Sequence, residues 1–159
     1  CNLQRRIMAL SVSDVVPHFT AIDDNGVVFD SASLANKIVV IYFYPKDNTP
    51  GCTAQACGFR DQYEDFLSLG AEVIGISSDR QASHTNFKKK YKLPFTLLTD
   101  ANKKLSNLFG VSNDLLFLPG RETFVIDVHG VVQMKFDSMQ AVSHIKIALN
   151  KVKQLAESL

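Results

Sequence analysis

The longest unbroken apolar run in the chain is Ile38-Val-Val-Ile-Tyr-Phe-Tyr44, mostly β-branched or aromatic and closed by Pro45. A short run without polar alternation predicts a strand buried on both faces, as in parallel sheets. Upstream, residues 17–22 and 27–30 flank Asp23-Asp24-Asn25-Gly26, a turn signal that predicts an opening β-hairpin. Downstream, Thr49-Pro50 reads as a helix start, with Thr as N-cap and Pro at the first helical position, where its missing N–H is no loss. Ala56, Phe59, Tyr63, Phe66 and Leu67 then recur at helical spacing until Gly70 supplies a stop. Residues 71–77 read as a strand, 80–91 as a second helix, 95–98 as a short strand and about 102–109 as a third helix. Residues 123–127 and 131–136, parted by Val128-His129-Gly130, predict an antiparallel hairpin. A last helix presents Val142, Ile145, Leu149, Val152 and Leu155 for packing.

Strands and helices alternate, with a hairpin before the final helix. The expected class is therefore α/β: a central mixed sheet flanked by helices, opened by the N-terminal β-hairpin. Neither a repeat nor a linker interrupts the pattern, so residues 15–159 read as one domain following an N-terminal extension, residues 1–14. Residues 113–120 form the one long irregular stretch of the second half and are a candidate site wall.

With 46% hydrophobic and 21% charged residues over 159 positions, the composition is that of a globular chain with one core, not of a disordered or fibrous one. Its 17 basic and 16 acidic side chains leave a formal charge of +1, which excludes the strong field of a nucleic-acid or anionic-membrane binder. No apolar run approaches the roughly 20 residues of a membrane helix, so no membrane partner is expected. Residue 1 is Cys, and Arg5, Arg6, Ser11 and Ser13 precede the first acidic residue, Asp14. That start reads either as an artificial boundary or as the remnant of a cleaved targeting segment. Lys88-Lys89-Lys90 with Lys92 reads as a solvated helix face.

Cys1, Cys52 and Cys57 are too few and too unevenly placed for a disulfide framework, which favours a reducing compartment. His18, His84, His129 and His144 lack the paired spacing of zinc ligands, so no structural metal is expected. A lone cysteine is more often a small buried hydrophobe than a reactive group. Cys52, however, falls in the first turn of a helix directly after the buried strand, and Cys57 follows five positions on. Unpaired N–H groups and the positive end of the helix favour the thiolate, the attacking species. Complete ionisation of an ordinary thiol at neutral pH gains only about 30-fold, or roughly 2 kcal/mol. Fast chemistry at this sulfur therefore needs further groups, such as a fixed cation and a hydroxyl, to orient a substrate and stabilise a departing charge.

Pro45, Thr49 and Cys52 match the Pro-x-x-x-Thr-x-x-Cys signature of peroxiredoxins. The segment Thr49-Pro-Gly-Cys-Thr-Ala-Gln-Ala-Cys-Gly-Phe-Arg-Asp61 resembles the subgroup called peroxiredoxin Q or bacterioferritin comigratory protein, in the AhpC/TSA family. Gly120-Arg121-Glu-Thr-Phe-Val-Ile-Asp127 resembles the family's segment with the active-site arginine. The resemblance implies a thioredoxin-like fold and a peroxidase for hydrogen peroxide and organic hydroperoxides. It also implies that Cys52 is peroxidatic, that Cys57 resolves the sulfenic acid into a disulfide, and that Pro45, Thr49 and Arg121 shape the peroxide pocket. No cofactor is implied. Thioredoxin, or else glutaredoxin, would be the reductant, the chain would be a monomer, and its compartment would be the cytoplasm of a bacterium or a plastid of a plant or alga.

Two rival readings stand beside this one. A general thiol–disulfide oxidoreductase on the same fold usually carries Cys-x-x-Cys, whereas four residues separate Cys52 from Cys57. A non-catalytic thioredoxin-like interaction module would share the fold alone. Within the favoured reading, residues five apart in an α-helix have Cα atoms about 8.7 Å apart. A disulfide needs less than about 7 Å, so the helix must open before it can close. Gly58, where a better helix former is expected, would ease that opening.

Overall fold

The computed structural model describes residues 10–111 and 120–159. The chain runs β1 (Thr20–Asp23), β2 (Val28–Asp30), β3 (Ile38–Phe43), α1 (Pro50–Asp61), α2 (Tyr63–Ser68), β4 (Ala71–Ser77), α3 (Gln81–Tyr91), β5 (Thr96–Thr99), α4 (Lys104–Phe109), β6 (Glu122–Ile126), β7 (Val132–Asp137) and α5 (Ser143–Glu157). Among the described residues seven strands form one sheet in the order β2-β1-β5-β4-β3-β6-β7. β4 is parallel to both β3 and β5, while β6 is antiparallel to β3 and β7. This is the mixed, helix-flanked sheet that the alternation of elements predicts, in the thioredoxin-like arrangement that the family resemblance implies.

Every residue of β3 is buried, because its two faces feed two separate cores. Ile38, Val40, Tyr42 and, just beyond the strand, Tyr44 join Phe59, Phe66, Phe87, Phe95, Ile145 and Val152 on one side. Val39, Ile41 and Phe43 join Phe19, Leu105, Phe109 and Phe124 on the other. The alternation is that of a pleated strand. Tyr42 stacks on Phe59 with ring centroids 4.6 Å apart, which docks α1 over the strand that leads into it. Burying a ring of this size contributes about 1.5–3 kcal/mol.

Several boundaries differ from the sequence expectation. The helix expected to run to Gly70 is broken at Gln62 (φ −100°, ψ 5°). Beyond the break the Tyr63 hydroxyl donates to Glu72 Oε1 at 2.7 Å, an anchor on β4 that re-aims the chain. Gly70 does end α2, in the left-handed region at φ +79°. The third helix begins at Lys104 rather than near Asn102, since Asn102 and Lys103 are both left-handed. Asp100 sets that start, its carboxylate accepting from Leu105 N at 2.6 Å and Ser106 N at 2.8 Å. Val142 lies before α5 and is 67% exposed, whereas Ile145 and Val152 are buried as expected, Leu149 and Leu155 pack against the same core, and His144 and Ala148 are buried beside them.

The start of the chain touches the sheet before residue 15. Leu10 is buried, its N–H donates to Phe109 O, and Ser13 N donates to Val132 O. Cys1 and residues 113–119 of the expected site wall lie outside the described residues. Among the described residues no helix is long and apolar enough to cross a membrane.

Candidate active site

β3 leaves the sheet beside β4, with Tyr44 N donating to Ile76 O at 3.0 Å, and the chain turns through residues 45–49 into α1. Pro45 is buried at the strand exit. Asn48 takes the left-handed conformation at φ 62°, which a short amide side chain tolerates. Thr49 occupies the N-cap position in extended geometry, and Pro50 begins the helix. The capping role expected of the Thr49 hydroxyl is not realised: it donates to Lys46 O at 2.8 Å and closes the turn.

Cys52 lies in the first turn of α1 and is 1% exposed, although Pro50 and Ala54 beside it are exposed. Arg121 approaches it from the other neighbour of β3. Antiparallel pairing sets Glu122 opposite Phe43, so Arg121 falls at the strand end where the chain exits toward the cysteine. Its Nη2 lies 3.5 Å from Cys52 Sγ. Nη1 donates to Gln55 Oε1, and both side chains are buried. A Cβ on Gly51 would sit 2.9 Å from Nη2, so the guanidinium can cross the helix start because residue 51 has no side chain.

Gln55 is the site residue that sequence reasoning missed. Its spacing of three from Cys52 puts both on one helix face, and that was the available signal. The Gln55 Nε2, Arg121 Nε and Tyr42 hydroxyl are buried with no hydrogen-bond partner among the described residues. Burial, the largest cause, and then the neighbouring Cys52 push the Tyr42 hydroxyl well above the ordinary tyrosine range, which leaves it a neutral phenol. A helix N-terminus and a fixed guanidinium thus converge on one sulfur, an arrangement that stabilises a thiolate in a site removed from water. Cys57 lies farther along the same unbroken helix, partly buried, and both cysteines are free thiols.

Among the described residues, Asp47, Asp79 and His84 bring possible ligand atoms within 4.8 Å of one another. Those atoms already serve one another and their neighbours as hydrogen-bond partners: Asp47 Oδ2 meets His84 Nδ1 and Ser83 Oγ, and Asp79 Oδ2 accepts from Asp47 N and Ser77 Oγ. The chemistry of the set is that of a hydrogen-bond network, not of an open cation cage.

A cysteine held at a helix start under an arginine, on a thioredoxin-like mixed sheet, defines a thiol-based redox enzyme. Comparison with known proteins narrows the class. Residues 12–135 match the model of the AhpC/TSA family. Chloroplastic peroxiredoxin Q of Oryza sativa subsp. japonica is 49% identical over 148 residues, covering 92% of this chain and 68% of that one. The chloroplastic peroxiredoxin Q of Sedum lineare is 50% identical over 141 residues, covering 87% and 76%. Among solved structures, peroxidoxin BcpB from Mycobacterium tuberculosis superposes with a TM-score of 0.85 at 32% identity, covering 92% of this chain and 98% of that one. A Cys-to-Ser mutant of PrxQ from Xylella fastidiosa superposes with a TM-score of 0.86 at 25% identity, covering 91% and 96%. The chain belongs to the AhpC/TSA family, in its peroxiredoxin Q group, and is a thiol-dependent peroxidase.

Proposed function

We propose that the chain reduces hydrogen peroxide and organic hydroperoxides with Cys52 as the peroxidatic and Cys57 as the resolving cysteine. The Cys52 thiolate attacks one peroxide oxygen, the O–O bond breaks, and the departing oxygen leaves as water or alcohol once protonated. Cys52 becomes a sulfenic acid. The Cys57 sulfur then attacks the Cys52 sulfur, the S–O bond breaks, and hydroxide leaves as water while the disulfide forms. An external dithiol returns both sulfurs to thiols.

The observation that carries this reading is the Arg121 Nη2 held 3.5 Å from Cys52 Sγ at the start of α1. A fixed cation there steadies the thiolate and then the charge that develops on the peroxide oxygens. Pro45 and Thr49, on the loop entering α1, shape the approach. Thioredoxin is the reductant, ahead of glutaredoxin. The chain acts as a monomer away from membranes, through one domain spanning residues 15–159, and the names of its plant relatives support a plastid location.

Peroxide consumption by Cys52→Ser and Cys57→Ser variants tests the assignment. Cys52→Ser is expected to be inert, since a hydroxyl without an activating base cannot replace the thiolate. Cys57→Ser should react once, with added oxygen found by mass spectrometry on Cys52 alone. Thioredoxin-linked turnover by Cys52→Ser would overturn the assignment.

A further inference from the structure

The loop between β3 and α1 is held by a side chain that the reaction scheme does not use. Asp47, three residues after Tyr44, points inward and is 5% exposed. Its Oδ1 accepts from the Tyr44 hydroxyl at 2.6 Å, and its Oδ2 accepts from Ser83 Oγ at 2.8 Å and pairs with His84 Nδ1 at 2.8 Å. The Asp47 backbone N–H donates to Asp79 Oδ2 at 2.8 Å. His84 is fully buried, and its Nε2 lies 3.0 Å from Leu98 O on β5. A proton on Nδ1 makes the ring a donor to the Asp47 carboxylate. Because an unpaired buried carboxylate is costly, this set of partners defines one position for Asp47 and hence for the backbone around it.

The anchor comes from α3 and β5, not from α1. It therefore grips residues 45–49 independently of the helix that must open for the disulfide to close. Asn48, in its left-handed conformation, and the Thr49-to-Lys46 turn follow directly from the pinned residue.

We propose that Asp47 and His84 are positioning residues of the peroxide reaction: their buried pair fixes the loop that presents Pro45 and Thr49 at the start of α1. The proposal rests on the assignment of Cys52 as the peroxidatic cysteine with Pro45 and Thr49 in its pocket. Neither residue touches the reacting atoms. What they set is the geometry of those that do, where a displacement of about 1 Å can cost about 100-fold in rate.

The two amide replacements of histidine separate this role from simple core filling. In His84→Asn the side-chain amide N–H stands where Nδ1 stood and can still reach Asp47. In His84→Gln it stands where Nε2 stood, keeps Leu98 O, and leaves Asp47 short of a donor. Glutamine fills more of the space, so a purely structural role would favour it.

Three readouts serve on the full chain: the second-order rate constant with hydrogen peroxide, the disulfide-closure rate, and the alkylation rate of Cys52 by iodoacetamide. His84→Gln is expected to slow the peroxide step by about 10- to 100-fold. His84→Asn should recover most of that loss. Closure and alkylation should stay at their wild-type rates, whereas general loosening would speed alkylation of a sulfur that is 1% exposed. A wild-type peroxide rate in His84→Gln overturns the proposal, as does equal slowing in the two variants, or faster alkylation of either. Should the His84 variants fail to fold, Ser83→Ala removes one donor from a half-buried position and leaves the ring in place. It should slow the peroxide step by about two- to ten-fold, the worth of one hydrogen bond, and an unchanged rate overturns the proposal. Peroxide turnover by Cys52→Ser would instead mark failure of the underlying assignment.

Discussion

In the proposed mechanism Arg121 is the residue on which the chemistry of Cys52 most depends, and two neighbours position it. Gln55 Oε1 holds Nη1, and the missing side chain of Gly51 leaves room for Nη2. Arg121→Ala removes both the cation that steadies the thiolate and the donor aimed at the peroxide oxygens. The expected result is a peroxide rate lower by about 100- to 1000-fold that alkaline pH does not restore. Full recovery at high pH, measured by stopped flow, would limit Arg121 to ionising the thiol. Gln55→Leu leaves the guanidinium in place but takes away its buried acceptor, at a cost of about 1–3 kcal/mol. We expect an intermediate loss of peroxide rate, with thermal stability lowered as well. Cys52, Thr49 and Pro45 were legible as candidates because their spacing is local. Gln55 was not singled out, since its spacing of three from Cys52 places it on the same helix face but does not name its distant partner, Arg121.

Among the elements, the proposed disulfide requires the helix bearing both cysteines to open and close in each cycle, and at Gly58 propensity and packing pull in opposite directions. Judged by propensity, Gly58 weakens α1 by about 1 kcal/mol relative to alanine, so Gly58→Ala should slow opening. But a Cβ at residue 58 would lie 2.8 Å from Ile145 Cδ1 and 3.0 Å from its Cγ1. Gly58 is the point where α1 rests on α5, and overpacking a contact of this kind costs about 1–3 kcal/mol. The Ile145 side chain must shift to admit that Cβ, at a cost that equals or exceeds the propensity gain. Gly58→Ala should therefore loosen the docked helix and speed disulfide closure after one equivalent of peroxide, while leaving the first step unchanged. Slower closure would show that propensity dominates. In the wild type, amide exchange of residues 52–60 should be faster in the oxidised than in the reduced protein, because an intact helix keeps the cysteine Cα atoms about 8.7 Å apart. Equal protection with the disulfide confirmed by mass would remove the helix-opening step.

For the molecule as a whole, the two-sided sheet seals a histidine behind the arginine strand. His144 is fully buried, accepting from Thr123 Oγ1 at Nδ1 and donating from Nε2 to Ser138 O. Burial, the largest cause, holds its pKa below the usual histidine value of 6.5, and nearby Arg121 acts in the same direction. The unfolded chain therefore takes up this proton first on acidification. The contribution of His144 to stability is intact above about pH 6.5, declines as the pH drops below that value, and is fully lost beneath the folded-state pKa. Denaturant unfolding at pH 7.5 and 5.5 should show a larger acid loss in the wild type than in His144→Gln. An equal loss in both would assign the acid sensitivity to other groups.

Periodicity and punctuation are local, and the sequence alone determined what depends on them. The doubly buried β3, the helix start at Thr49-Pro50 with Cys52 in its first turn, the stop at Gly70 and the mixed α/β class all follow from patterns a few residues long. Tertiary structure decided whatever depends on register between distant segments. Arg121 reaches Cys52 because antiparallel pairing sets Glu122 against Phe43. Asp47 meets His84 across 37 positions because α3 packs beside the strand exit. Gly58 serves close packing because α5 crosses at that turn of α1. Helix and strand signals act through neighbours along the chain, whereas a charge pair or a close contact is set by which strands pair and which faces they bury.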